Sequence, residues 1–280
     1  MQLIDIQIKD GSTSKITHYS AKSNQSKSVI IIFPAMGVRG SYYGMLGKQI
    51  SEAGFEVIIT DLRGIGNSSV RPNKKVDFGY HEMLELDYKS ILGKVKYLFP
   101  NKKIYALGHS LGGQLASLFS AKNSNSFDGL ILIACCSVYF KGWGSKQLPT
   151  LFMTQFFYFV SVLLGYFPGK KIGFGGTEAK TVINDWSNQS RTGKYILKND
   201  DFNYEAGLEK ITIPILAISF QEDTFAPPKA VEHLIGKFGN NTKKEYIYLK
   251  NDDPRNENFN HFNWVKKPKK IVNVLEKWII

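Results

Sequence analysis

The chain has 280 residues, of which 43% are hydrophobic, and this length suits one α/β domain with an insertion, or at most two domains. Lysine and arginine outnumber aspartate and glutamate by 36 to 24, which gives a net charge of +12. The lysines are spread along the chain without a nucleic-acid-binding motif, so we expect no nucleic-acid partner.

The first half of the chain predicts a sheet that begins with an antiparallel hairpin. Residues 1–9 and 14–21 alternate between apolar and polar side chains around a turn at Asp10-Gly11, the pattern of paired edge strands. From residue 28 to residue 136, β-branched runs alternate with helical spacings, which predicts parallel strands with helices on both faces. The predicted strands are 28–33, 56–60, 104–107 and 129–136, and the predicted helices are 41–52, 80–98 and 111–121.

Two features of the sequence indicate the cellular compartment of the protein. The N-terminus has no basic start followed by an apolar run, so we expect no signal peptide and a cytoplasmic location. Cys135 and Cys136 are adjacent at the end of an apolar run, and neighbouring cysteines rarely form a disulfide because their Cα atoms are too close. We expect two buried, reduced thiols.

The alternation breaks after residue 137. Residues 139–201 are aromatic and rich in glycine, and 151–167 are strongly apolar. This apolar stretch is shorter than the ~20 residues of a membrane span, and it contains Gln155 and Gly165. We therefore expect a helical cap over 138–205 and no integral membrane span, with contact to a lipid surface as the alternative.

The strand pattern resumes near residue 211. Strands at 211–219 and 245–249 and helices at 230–238 and 269–280 complete the expected core, which comprises 1–137 and 206–280. The loop from Asp61 to Ser68 lacks the Lys-Ser/Thr of a phosphate-binding loop. We expect it to be structural, with Asp61 and Arg63 bonding neighbouring backbone.

The segment Gly108-His109-Ser110-Leu111-Gly112 joins a strand to a helix. In this context G-x-S-x-G places the serine on a sharp, strained turn that exposes its hydroxyl, and flanking glycines let the strand and helix approach. Ser110 is the candidate nucleophile. Leu111 opens the helix, so its N–H is a candidate oxyanion donor. The second donor is expected after strand 28–33, and by position it is the N–H of Met36.

A serine nucleophile needs a histidine base that is oriented by a carboxylate. In this topology the acid and then the histidine follow the serine, each in a loop after a late strand. His261 fits, whereas the other histidines lie in the hairpin, at a helix start, beside the serine and within a helix: His18, His81, His109 and His233.

Four carboxylates are candidates for the residue that orients His261. Asp223 follows strand 211–219 and precedes the rigid turn Thr-Phe-Ala-Pro-Pro, so it is preferred. Glu222 is its substitute, and Asp252 and Asp253 lie in the loop that contains the histidine.

With these residues in view, the chain resembles the α/β-hydrolase superfamily. The resemblance rests on Gly-His-Ser-Leu-Gly-Gly, the Asp-x-Arg-Gly-x-Gly-x-Ser loop, Asp223 and His261. It is most similar to a poorly characterised bacterial group of predicted α/β hydrolases, which shares three segments of this chain: Leu-Gly-Tyr-Phe-Pro-Gly-Lys (164–170), Asp-x-Phe-Ala-Pro-Pro (223–228) and His261-Phe262. The resemblance implies an esterase-like enzyme and no settled substrate.

We therefore expect an α/β-hydrolase fold: a mostly parallel sheet with an antiparallel N-terminal hairpin, helices on both faces and an inserted helical cap. The expected enzyme is a serine hydrolase that cleaves a carboxylic ester through an acyl-enzyme, with Ser110, Asp223 and His261 as triad. The aromatic cap favours an apolar acyl group. No metal or organic cofactor is expected, and the partner is a small ester or acyl molecule. The alternatives are a peptidase or amidase of the same fold and a non-catalytic binding protein. The oligomeric state stays open.

Overall fold

A computed structural model describes residues 1–22, 26, 28–250 and 258–279. Its centre is an eight-stranded sheet. The strands are β1 (Gln2–Gln7), β2 (Thr13–Tyr19), β3 (Ser28–Phe33), β4 (Glu56–Ile59), β5 (Lys103–His109), β6 (Gly129–Ile133), β9 (Ile215–Phe220) and β10 (Lys244–Leu249). Their order in the sheet is β1-β2-β4-β3-β5-β6-β9-β10. The pairs β1–β2 and β2–β4 are antiparallel, and the other neighbours are parallel.

Helices cover both faces of the sheet because its central strands are apolar on both sides. On β3, Val29 and Ile31 belong to one buried cluster, and Ile30 and Ile32 belong to a second. The α-helices are α1 (Gly44–Glu52), α2 (Tyr80–Glu82), α3 (Lys89–Leu98), α4 (Leu111–Lys122), α5 (Gln147–Leu164), α6 (Lys180–Thr192), α7 (Tyr204–Glu209), α8 (Pro228–Ile235) and α9 (Lys269–Trp278). This architecture confirms the predicted α/β-hydrolase fold with its antiparallel hairpin.

Several elements end where local chemistry differs from the periodic pattern. The strand expected at 211–219 begins only at Ile215, because Pro214 has no N–H for the ladder. The helix expected over 80–98 contains a π-helical turn at Met83–Tyr88 between α2 and α3. The last helix ends at Trp278, and Ile280 lies outside the described residues.

The insertion, as we call the chain between β6 and β9, contains α5, α6, α7 and a two-stranded antiparallel sheet of β7 (Tyr166–Phe167) and β8 (Glu178–Ala179). Helices α5 and α6 pack against each other, and α7 packs against α4. Among the described residues one helical stretch, Phe140–Leu164, is long and apolar enough to cross a membrane by length and composition, and 22% of an apolar 18-residue window within it is buried. Such a single stretch is weak evidence for a span.

Candidate active site

The serine lies on a strained turn between β5 and α4. Ser110 has φ 51° and ψ −120°, a conformation that disfavours residues with a Cβ. A Cβ on Gly108 would lie 2.2 Å from the Cα of Gly113, and a Cβ on Gly112 would lie 2.3 Å from the carbonyl oxygen of Phe33. Both flanking glycines are therefore required by backbone contacts, as the sequence predicts.

The two expected oxyanion donors come from the start of α4 and from the loop after β3. Leu111 is the first residue of α4, where an N–H has no intrahelical acceptor. Met36 lies in a turn closed by Val38 N donating to the oxygen of Ala35 at 3.1 Å. Met36 and Leu111 line the same cavity as Ser110.

A tyrosine joins these two loops. The N–H of Ala35 donates to the hydroxyl oxygen of Tyr43 at 2.9 Å, and that hydroxyl lies 2.7 Å from His109 Nδ1. This role cannot be read from the sequence, in which Tyr43 is only one of the apolar residues at helical spacing in 41–52. Burial lowers the pKa of His109 well below its usual range, and the neighbouring His261 lowers it further. His109 is therefore a neutral, structural imidazole.

The candidate acid Asp223 contacts the candidate base His261, which lines the cavity. His261 Nδ1 lies 3.0 Å from Oδ1 and 2.9 Å from Oδ2 of Asp223. The Asp223 side chain is fully buried. Its Oδ1 also accepts hydrogen bonds from the N–H groups of Phe225 and Ala226, at 2.8 and 2.9 Å. The turn after β9 thus fixes the carboxylate through contacts that do not involve the imidazole.

The structure separates the rival acids. Glu222 is exposed, whereas its neighbour Asp223 contacts the imidazole. Asp252 and Asp253 lie outside the described residues.

The histidine loop is anchored from its C-terminal side. Trp264, fully buried, donates from Nε1 to the carbonyl oxygen of His261 at 3.1 Å. The Tyr42 hydroxyl donates to the carbonyl oxygen of Phe262 at 2.9 Å. Aromatic rings surround the imidazole, with ring-centroid distances of 4.9 Å to His109 and 5.3 Å to Phe225. These contacts hold the ring in one orientation.

Ser110 and His261 both line a cavity of about 350 Å³. Apolar side chains form most of its remaining wall, with contributions from the insertion and from the loop after β9: Val138, Trp143, Met153, Phe174, Trp186 and Phe225. Lys146 is the one Lys, Arg, Asp or Glu among the described lining residues. The described residues hold no group of three or more His, Cys, Asp or Glu side chains arranged for a metal ion.

Three phenylalanines of α5 are exposed to solvent. Phe152, Phe156 and Phe159 have exposed fractions of 70%, 61% and 58%. They lie on the outer face of α5, because its inner face packs on α6.

Arg63 does not bond neighbouring backbone. It forms ion pairs with Asp87 and Asp10, because a buried guanidinium requires carboxylate partners. Asp61 does bond backbone, accepting from the N–H groups of Gly40 and Asn67 at 2.7 and 2.8 Å.

A strained serine at the end of β5, in a sheet of this strand order, defines the α/β-hydrolase class. The chain belongs to the α/β-hydrolase family: the family model for the alpha/beta hydrolase fold matches residues 28–251.

Known proteins support the same fold. A monoglyceride lipase homolog of monkeypox virus is 28% identical over 108 residues, which are 39% of this chain and 38% of that protein. The match thus spans well under half the length of this curated relative.

Two solved structures are similar over nearly the whole chain. The structure of DcsB in complex with its substrate analogue has a TM-score of 0.68 at 17% identity, and covers 99% of this chain and 97% of the other. An esterase from Exiguobacterium antarcticum has a TM-score of 0.64 at 16% identity, with 99% of each chain covered. At such identities the likeness concerns the fold.

Proposed function

We propose that the protein is a serine hydrolase that cleaves carboxylic esters with Ser110, His261 and Asp223. The observation that carries the proposal is that an imidazole paired with a buried carboxylate lines the same cavity as a serine in a strained elbow. The esterase and lipase names among the similar proteins support an ester as substrate.

In the proposed cycle Ser110 Oγ attacks the ester carbonyl while His261 Nε2 takes its proton. Asp223 accepts from Nδ1 of the imidazole, which fixes the tautomer and stabilises the imidazolium. The N–H groups of Leu111 and Met36 donate to the oxyanion. His261 then protonates the leaving alcohol, and water activated by the same imidazole releases the acid. Neither a metal nor an organic cofactor enters this cycle.

The cavity wall favours an apolar acyl group, because aromatic and aliphatic side chains surround the serine. A peptidase that recognises a free amine would need an acidic group in the pocket. None of the described residues that line the cavity is Asp or Glu. We therefore rank the ester above the amide.

The test is labelling with a fluorophosphonate probe together with p-nitrophenyl esters of increasing acyl length and aminoacyl amides. Ser110→Ala should abolish labelling and lower ester turnover by several orders of magnitude. Ser117→Ala, on the helix that follows Ser110, is the matched control, because Ser117 Oγ donates to the carbonyl oxygen of Gly113 at 2.8 Å within that helix. Full labelling of Ser110→Ala, or faster cleavage of amides than of esters, would contradict the proposal.

A further inference from the structure

Helix α5 buries several polar residues and exposes several large apolar ones, which is the reverse of an ordinary surface helix. Its buried residues include Thr150, Thr154 and Ser161, together with Phe157. On this inner face Thr154 Oγ1 lies 3.0 Å from Ser190 Oγ, and Gln155 Nε2 donates to the carbonyl oxygen of Ser187 at 3.0 Å. The helix is therefore held to α6 partly by polar contacts, and most of its large apolar side chains point away from the core.

The outer face of α5 carries an apolar stripe. Spacings of three and four residues place its five members on one side of the helix. Their exposed fractions run from 58% to 70%, and the members are Leu148, Phe152, Phe156, Phe159 and Leu163. An apolar patch of this kind on a folded domain marks an interaction surface.

The charge of the segment that contains the stripe has one sign. From residue 129 to residue 177 the sequence contains no aspartate or glutamate. Lys141 and Lys146 precede α5, Lys170 and Lys171 follow it, and all four are exposed. A Cβ on Gly165, at the C-terminal end of the helix, would lie 2.9 Å from the Cα of Lys74, so a further exposed lysine adjoins this end.

We propose that the stripe of α5 docks on the surface of an anionic phospholipid bilayer, with the helix lying in the interface and the lysines contacting headgroups. An apolar face flanked by cationic residues is the pattern of an interfacial helix. A second copy of the chain would be a poorer occupant, because lysines at both ends of one stripe would meet lysines of the other. A transmembrane orientation is disfavoured because it would break the contacts of Thr154 and Gln155 with α6.

The binding of α5 to a bilayer would also place the cavity entrance close to lipid substrates. Pro149, Thr150 and Met153, from the first half of α5, line the cavity that contains Ser110. The helix that meets the bilayer is thus also a wall of the pocket. This second step rests on the proposed function, and it predicts faster hydrolysis of esters held in anionic vesicles than of the same esters in neutral ones.

The test is co-sedimentation of the full chain with vesicles of phosphatidylcholine alone and with equimolar phosphatidylglycerol. The wild type should bind the anionic vesicles, and added salt should weaken this binding. Replacing phenylalanines of the stripe (Phe152→Ser, Phe156→Ser, Phe159→Ser) should lower the partition coefficient about tenfold for each. Tyr97→Ser is the matched control, because Tyr97 is 78% exposed on α3, and it should leave binding unchanged.

A variant with fewer lysines separates the electrostatic contribution to vesicle binding from the apolar one. Lys170→Gln with Lys171→Gln should weaken binding to anionic vesicles severalfold for each lysine and leave binding to neutral vesicles unchanged. Ser110→Ala should bind as the wild type does, so failure of docking and failure of ester hydrolysis are observed independently.

Three outcomes would overturn the proposal. The first is a wild type that binds neither vesicle. The second is vesicle binding that is unaffected by the serine substitutions in the stripe. The third is a dimer in gel filtration that these substitutions dissociate, without vesicle binding, which would assign the stripe to self-association.

Discussion

The hydroxyl of Tyr43 joins the loop before the first α-helix to the residue that precedes the candidate nucleophile. It accepts from the N–H of Ala35 and lies 2.7 Å from His109 Nδ1. Because burial keeps His109 neutral, Nδ1 can be the acceptor of the hydroxyl proton. The hydroxyl oxygen of Tyr43 therefore fixes the position of loop 34–37 relative to the turn that carries Ser110.

Tyr43→Phe removes both hydrogen bonds and leaves the Ala35 N–H and His109 Nδ1 buried without this partner. We expect the free energy of unfolding to fall by about 1–3 kcal/mol. Since Met36 follows Ala35, ester turnover should fall as well, mainly in kcat. Urea denaturation and steady-state kinetics measure both effects. Tyr97→Phe, at a site that is 78% exposed, is the control, and equal behaviour of the two variants would refute the coupling.

Asp223→Asn tests the assignment of the acid. An amide cannot stabilise the imidazolium and favours the wrong tautomer, so kcat should fall by about three to four orders of magnitude. Glu222→Gln, one residue away and exposed, should change kcat less than about threefold. Initial rates on the best p-nitrophenyl ester distinguish the two, and the reverse order would assign the role to Glu222.

The backbone strain at Ser110 should lower the free energy of unfolding by a measurable amount. With φ at 51°, a side chain is disfavoured and glycine is not. Ser110→Gly should therefore be more stable than Ser110→Ala by about 1 kcal/mol or more, although both variants lack the nucleophile. Thermal unfolding of the two variants makes this comparison, and Ser117→Gly should instead be less stable than Ser117→Ala, because Ser117 lies inside α4. Equal melting temperatures for the two Ser110 variants would mean that the elbow stores no strain.

A buried carboxyl in the insertion predicts a pH dependence of stability. Burial raises the pKa of Glu178 from 4.5 to about 7, while its Oε1 accepts from the N–H of Gly176 at 2.8 Å. Between these two pKa values the folded state holds a proton that the unfolded chain has lost. The free energy of unfolding should therefore fall by roughly 3 kcal/mol as the pH rises from 4.5 to 7.

Glu178→Gln should remove this contribution, because the amide oxygen can still accept from Gly176 and carries no charge. Denaturation at several pH values would then give a flatter curve for the variant than for the wild type. Glu209→Gln, at an exposed position, should leave the curve unchanged. A wild-type slope that persists in Glu178→Gln would assign it to other groups.

The parts that sequence predicts well are those in which chemistry is local. Gly108, Ser110 and Gly112 lie within five residues, so the elbow can be predicted from its own steric demands. The order of acid and base follows from strand topology, which brings the carboxyl ends of parallel strands to one edge. His261 and Asp223 are predicted on that ground, and the structure pairs them.

The parts that sequence misses depend on partners far along the chain. Tyr43 contacts a residue 66 positions away, and no periodicity specifies that contact. The apolar pattern of α5 also does not say which of its faces meets a neighbour. The wall of the cavity includes side chains such as Trp143 and Trp186, whereas Phe152, Phe156 and Phe159 of α5 are exposed. The division into a core and a cap at 138–205 stays a prediction.

The distribution of the site along the polypeptide has a consequence for biosynthesis. Ser110 directly follows the fifth strand, whereas the carboxylate and imidazole, 38 residues apart, come from much later segments of the chain. A nascent chain that has made the elbow still lacks the groups that would activate it. If the proposed chemistry holds, a ribosome stalled before Trp264 releases a fragment without the anchor of the imidazole. Hydrolytic activity would therefore emerge only after the segment that contains His261 and Trp264 has been synthesised.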